Sequence, residues 1–147
     1  MQRQRRDETG YVRKIEFAFY NEELIRDAVE EARWKVTRPE LKNGSGLSDP
    51  TAFEAIRHLT PIEAVTVKGV ELKKPEKWLL VIDKTYEWCK RRGEIYFNVA
   101  SGRYEGRYFA DTCVESAISE SQYYLMLERI RHYAALQAVQ NGLIYVD

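Results

Sequence analysis

The break at residues 117–119 constrains this chain more than any other sequence feature, because it separates two helical patterns of different length. Ser119 followed by Gln122 is the pattern of a capping box, in which each residue satisfies a backbone N–H group at the start of a helix. The second helix is predicted to span residues 120–140, since the Asn-Gly pair at 141 and 142 is typical of a helix end. Its predicted buried face carries Tyr123, Leu127, Ile130 and Ala134.

A short helix is predicted before the break, over residues 111–116, with Asp111 as its N-terminal cap. A helix-turn-helix needs a small residue in its first helix, an apolar residue in the turn and a polar cap before the second helix. Cys113, Ile118 and Ser119 stand at these positions. Two helices that only build a core would show the same spacing, so the spacing alone leaves both interpretations open.

Further elements are predicted upstream of this pair. Pro75–Arg92 has one apolar face, acidic residues at its start and basic residues at its end, which is typical of a helix, and Gly93 ends it. Glu94–Tyr104 is predicted to be the third helix that a helix-turn-helix unit needs. Alternating residues predict a hairpin of Ala64–Val67 with Val70–Lys73.

The N-terminal part of the chain shows helical spacing over residues 11–36, and residues 37–48 are rich in Gly, Ser and Asn and predict a linker. A short helix is predicted after Ser48, ending at Pro61. The apolar residues of the first helical pattern are Phe17, Tyr20, Leu24, Ile25, Ala28, Val29 and Ala32.

The predicted fold class is therefore mostly α, with an N-terminal helical arm, a small β-hairpin and a C-terminal three-helix unit. The arm and linker are assigned to residues 1–47. A helical domain is assigned to residues 48–147, with the hairpin at 64–73 and the helix-turn-helix at 94–141. The long first helix suggests self-association, most simply as a homodimer.

The distribution of charge along the chain says more about a nucleic-acid partner than the net charge does, because the 147 residues include 23 Lys and Arg against 23 Asp and Glu. Residues 1–14 contain five basic and two acidic side chains. Residues 94–147 contain four basic and seven acidic ones, which opposes simple electrostatic binding of DNA by the C-terminal unit. The basic groups at residues 1–14 and 90–92, or a partner such as RNA polymerase, would have to offset this acidity.

No pattern indicates an enzyme, a cofactor or a metal site. His58 and His132 are isolated, and no HExxH, GxSxG or glycine-rich phosphate loop occurs. Cys89 and Cys113 are interpreted as small core residues within helices, not as a disulfide or zinc site. No run of about 18 apolar residues occurs, and the basic N-terminus lacks the apolar stretch of a secretory signal. A cytoplasmic protein without a membrane partner is expected.

The segments "LSDPTAFEAIRHL", "PEKWLLVIDKTYEWCKRRGE" and "ISESQYYLMLERIRHYAALQAVQNGLI" resemble, in this order, small phage and prophage proteins of Gram-positive bacteria. The chain is similar to the late-gene transcriptional regulators of the RinA/ArpU type over residues 11–145. The resemblance implies a sigma-like C-terminal helix-turn-helix and double-stranded DNA near phage promoters as the partner. Host RNA polymerase is a further expected partner, because it would help an acidic unit to act at DNA. A small terminase-like packaging protein and a helical protein-interaction module without DNA binding are the alternatives.

The residues predicted to contact DNA lie on the second helix of the pair and around the first. Gln122 is suited to adenine and Arg129 to guanine, because both side chains can make two hydrogen bonds to these bases in the major groove. Tyr124 and Thr112 are expected to reach phosphates. The full set is Thr112, Ser121, Gln122, Tyr124, Leu125, Arg129, Arg107 and Arg103.

Overall fold

The computed structural model describes residues 2–42 and 61–145, so the short helix predicted after Ser48 lies outside the described residues. The described chain is mostly helical with one small hairpin, which confirms the predicted fold class. The elements are α1 (Gln2–Tyr20), α2 (Glu22–Lys42), β1 (Ala64–Val67), β2 (Val70–Lys73), α3 (Pro75–Arg92), α4 (Glu94–Tyr104), α5 (Phe109–Ser116) and α6 (Glu120–Gln140).

The structure differs from the prediction in the N-terminal part of the chain, which forms two helices instead of one. Asn21 lies between α1 and α2, and its backbone carbonyl accepts a hydrogen bond from the N–H of Ile25 at 2.9 Å, as at the start of a helix. The break resets the helical phase, so Tyr20 and Leu24 are exposed. The buried apolar residues of the two helices are Ile15, Ala18, Phe19, Ile25 and Val29.

Residues 37–42 of the predicted linker are helical, because α2 continues to Lys42. The Gly and Ser residues that predicted the loop all lie at positions 44–48, beyond this helix. Likewise α1 begins at Gln2, nine residues before the predicted start at position 11.

The elements group into two compact units. The division between these units differs from the predicted boundary between residues 47 and 48. The first, here called the helical unit, combines residues 1–20 with residues 80–147, and the second, the hairpin unit, comprises residues 21–79. The boundary differs because α1 packs on α6. Glu16 of α1 forms an ion pair with Arg131 of α6.

The hairpin unit is built from α2, the two strands and the first turn of α3. Val67 pairs with Val70 across a turn in which Lys68 and Gly69 have φ angles of 50° and 75°, the positive values that tight hairpin turns require. This confirms the predicted hairpin. The carboxylate of Glu76 anchors the unit, because it pairs with Arg33 and accepts the backbone N–H of Ile62 at 2.9 Å. The buried side chains of the unit include Val65, Val67, Leu72 and Trp78.

The core of the helical unit is centred on the predicted face of α6. Three of its side chains, Tyr123, Leu127 and Ile130, are buried in one cluster with residues of α3 and α4, and Ala134 is buried as predicted. The other buried members of the cluster are Cys89, Val99 and Ala100.

Gly102 permits the close approach of α4 to α5. A Cβ atom at this position would lie 2.8 Å from Oγ1 of Thr112, a distance that real Cβ contacts essentially never show. Gly102 is buried, and α4 continues past it to Tyr104.

We expect Gly102→Ala to lower the free energy of unfolding by about 1–3 kcal/mol, because overpacking forces neighbouring atoms to shift. The matched control is Gly10→Ala, at an exposed position of α1 with open space around the new methyl group. This control should raise stability by about 0.5–1 kcal/mol, as alanine does in a helix. The test is completed by chemical denaturation of Gly102→Ala, of Thr112→Ala and of the double variant that carries both substitutions. The double variant should lose less than the sum of the two single losses, and strict additivity would contradict the predicted clash.

Cys89 is fully buried, and burial raises the pKa of its thiol to about 12. We expect a thiol reagent at about pH 8 to label Cys113 of the native protein before Cys89, which should react only after unfolding, because Cys113 is partly exposed and the thiolate is the reactive form. An unfolded thiol ionises near a pKa of about 8.5, so the folded state binds more protons between this value and 12. The free energy of unfolding should therefore fall as pH rises above about 9. Rapid labelling of the native Cys113→Ser variant would contradict this assignment.

Candidate nucleic-acid interface

The connection between α5 and α6 is a three-residue turn at the predicted place. Ala117 adopts a left-handed conformation with φ 54° and ψ 45°, which reverses the chain at the end of α5. The N–H of Ile118 then donates to the carbonyl of Cys113 at 3.0 Å. Ile118 and Cys113 are partly buried against the core of the helical unit, in the positions predicted for the turn plug and the small residue.

The start of α5 differs from the prediction. The helix begins at Phe109, and the carbonyl of Tyr108 accepts the N–H group of Asp111 at 3.1 Å. Asp111 therefore lies in the first turn of α5 and not at its cap. An acidic residue in this position still interacts favourably with the positive end of the helix dipole.

The predicted capping box forms at the start of α6. Oγ of Ser119 accepts the N–H of Gln122 at 3.1 Å, and Oε1 of Gln122 accepts the N–H of Ser119 at 2.9 Å. These two bonds hold the side chain of Gln122 against the helix terminus and leave its amide nitrogen as a donor. The first exposed turn of α6 is thereby ordered before any ligand binds.

Four of the predicted site residues lie on the exposed side of α6. Ser121, Leu125 and Arg129 are spaced by four and form one ridge opposite the buried face, and Gln122 flanks it. Tyr124 lies on the other flank, where its ring is half-exposed and 6.0 Å from the ring of Phe109. The structure therefore brings these five side chains to one accessible surface.

Two predicted site residues make contacts inside the helical unit. Thr112 is 1% exposed and is not available to DNA, because its hydroxyl faces Gly102 of α4 instead of solvent. Arg103 is partly buried and lies over the ring of Tyr20 at 5.9 Å. Burial raises the pKa of the Tyr123 phenol, and the positive charge of Arg103 opposes this rise. The sequence pattern missed the burial of Thr112, because the contact of α4 with α5 is not encoded in the spacing of α5 and α6.

Arg107 is exposed, but its guanidinium group donates to the carboxylate of Glu115 at 2.9 Å. An exposed ion pair of this kind contributes little to stability, so it leaves the arginine able to exchange partners.

A groove of about 480 Å³ lies between the last turns of α3 and the exposed side of α6. Trp88 stacks on Tyr133 with ring centroids 4.7 Å apart and an interplanar angle of 11°. Arg92 lies 5.2 Å from the ring centre of Trp88. The residues that line the groove are Trp88, Arg92, Leu125, Glu128, Arg129, His132, Tyr133 and Leu136.

Sequence reasoning included Arg92 only as part of a basic helix end and did not find the aromatic residues beside it. A usable signal was the spacing of four between Trp88 and Arg92, which places both on one side of α3. No spacing rule could connect Tyr133 on α6 with this side of α3.

Neither a membrane-spanning helix nor a metal cluster is found in the described part of the chain. No helix there is long and apolar enough to cross a bilayer. No group of three or more His, Cys, Asp or Glu residues there is arranged to hold a metal ion. Comparison with protein-family models, with curated proteins and with solved structures finds no match.

We expect Ser119→Ala to lower the free energy of unfolding by about 1 kcal/mol, because the N–H of Gln122 loses its partner at the start of α6. The matched control is Gln122→Glu, which keeps an acceptor for the N–H of Ser119 and adds a favourable charge at the helix start. Thermal and chemical denaturation should show a loss in the first variant and none in the second. Equal stability of Ser119→Ala and the wild type would contradict a stabilising role of the capping box.

Proposed function

We propose that this chain is a sequence-selective, DNA-binding transcriptional regulator that inserts the first turns of α6 into the major groove. The observation that carries the proposal is the ridge of Ser121, Leu125 and Arg129, with Gln122 beside it, on an exposed helix face that follows a tight turn. A helix that reads bases needs such a row of polar and small apolar side chains at its N-terminal end.

The chemistry of these side chains suits base edges. Gln122 can donate its amide N–H to N7 of adenine while its oxygen, already bonded to Ser119, accepts a second bond from N6. Leu125 can contact a thymine methyl group, and Arg129, one helical turn further along, can donate to a phosphate at the rim of the groove. Tyr124 can donate its hydroxyl to a phosphate at the edge of the groove.

The resemblance to RinA/ArpU-type regulators extends the proposal to its setting. We propose a phage-type regulator that acts as a homodimer near promoters in the bacterial cytoplasm, with host RNA polymerase as a second partner. The basic last turn of α3 supports this, because Lys90, Arg91 and Arg92 supply positive charge that the acidic segment at residues 94–147 lacks.

A protein-docking module is the second candidate, because α6 also exposes apolar side chains. Leu125, Leu136 and Val139 are 40–49% exposed on the side that faces away from the core. A small terminase-like packaging protein is the related alternative, and a ring-shaped oligomer would favour it over a dimer.

The proposal is tested by selecting duplexes from a randomised pool and measuring their binding by fluorescence anisotropy at about 50 to 200 mM salt. We expect Gln122→Glu to reduce the preference for the selected duplex over a scrambled one by about 10-fold or more, since it loses the donor of a two-bond base contact worth about 1–3 kcal/mol. The Glu variant retains the capping box, so a loss of preference is not a loss of folding.

The scrambled duplex is the internal control, because contacts to phosphates act on every sequence alike. Failure of the wild type to bind any duplex at the lowest salt concentration would refute the proposal and favour the docking module. Binding with no selected sequence would refute base reading by α6.

A further inference from the structure

We infer that Arg92 of α3 and Arg129 of α6 form a clamp for one backbone phosphate of duplex DNA, which makes the end of α3 a second DNA-contacting element. This inference rests on the proposed function and adds a residue and a ligand group to it. Its basis is the convergence of both guanidinium groups on Tyr96.

The two arginines approach the same phenol from different elements. The guanidinium carbon of Arg92 lies 5.7 Å from the ring centre of Tyr96 and 5.2 Å from that of Trp88. Nη1 of Arg129 donates to the hydroxyl oxygen of Tyr96 at 3.0 Å. Residues from α3, α4 and α6 therefore hold two positive groups beside one groove.

No carboxylate neutralises this pair in the part of the chain that the structure describes. Neither Arg92 nor Arg129 takes part in an ion pair there, although Glu128 also lines the groove. Two like charges held near each other are unfavourable unless an anion joins them. The planar, forked guanidinium group matches the oxygens of a phosphate better than a lysine ammonium does.

The aromatic residues beside Arg92 hold its side chain in position. Trp88 is stacked on Tyr133 and meets the ring of Tyr96 edge-on, at 5.7 Å between centroids. Arg92 thus lies on a fixed aromatic surface, which limits the conformations of a long side chain before an anion binds.

The position of the pair favours a phosphate of duplex DNA. Arg129 is one helical turn beyond Leu125, on the ridge proposed to face the bases. When the first turns of a helix enter the major groove, its later turns and the neighbouring elements lie at the rim, where the phosphates are. Arg92 borders the groove that contains Leu125 and Arg129, so it would meet this rim.

The test compares Arg92→Gln with Lys84→Gln, which removes the same charge at an exposed residue of α3 about two turns earlier. Binding of the selected and scrambled duplexes is measured across a salt series. Loss of one phosphate contact should lower the slope of log K against log salt by about 0.9 in Arg92→Gln. The preference for the selected duplex should stay unchanged, and Lys84→Gln should retain the wild-type slope. Tyr96→Phe, which removes only the hydroxyl group that holds Arg129, should weaken binding to both duplexes.

Each alternative has its own result. Equal loss of slope in Arg92→Gln and Lys84→Gln would mean diffuse charge, and an unchanged slope in both would mean no contact; both results overturn the clamp while the proposed function stands. Absence of duplex binding by the wild type overturns both. Equal binding of a single strand, or a saturable change of tryptophan fluorescence with inorganic phosphate that Arg92→Gln abolishes, would assign the pair to another anion and overturn the duplex assignment.

Discussion

The burial of one face of α6 is the constraint on which the rest of the helical unit depends. Tyr123, Leu127 and Ile130 are enclosed by α3 and α4, and each buried side chain of this size stabilises the fold by roughly 1.5–3 kcal/mol. A rotation of α6 about its axis would expose all three. The orientation of the opposite side follows, so Leu125 and Arg129 must face outward. The core therefore determines which residues are available to a ligand.

Contacts with α1 determine which charged side chains of α6 remain available to a ligand. Arg131 is used internally, because it forms an ion pair with Glu16 of α1. Burial raises the pKa of Tyr104 above the ordinary range, and the charge of Glu16 adds to the increase. The phenol stays protonated and can donate to Glu16, from which it lies 3.5 Å. Arg129, two residues before Arg131, points away from α1 and keeps its charge at the surface.

Local features were predictable from the sequence, and contacts between distant elements were not. The capping box of Ser119 and Gln122 involves residues three apart, so the sequence alone predicts it. The break at Asn21 has no Pro or Gly to indicate it, and the helical spacing of apolar residues continues across it. Thr112 is polar and stands near a helix start, which predicts exposure, but its burial depends on a glycine ten residues earlier. The contact of Tyr96 with an arginine on α6 spans 33 residues, beyond the reach of any periodicity.

The charge total of a segment does not describe the electrostatic field at one of its surfaces. The count over residues 94–147 is acidic, but it leaves out Arg92, which lies in the same groove as Arg129. It also includes Glu115, but this residue pairs with Arg107 of the same segment at 2.9 Å, so the pair does not change the balance. Salt screens exposed charges over a distance of about 8 Å under physiological conditions, so carboxylates outside the groove act weakly on it. The proposed binding of a phosphate therefore depends on the two guanidinium groups and on Glu128, which line the groove, and not on the charge total of the segment.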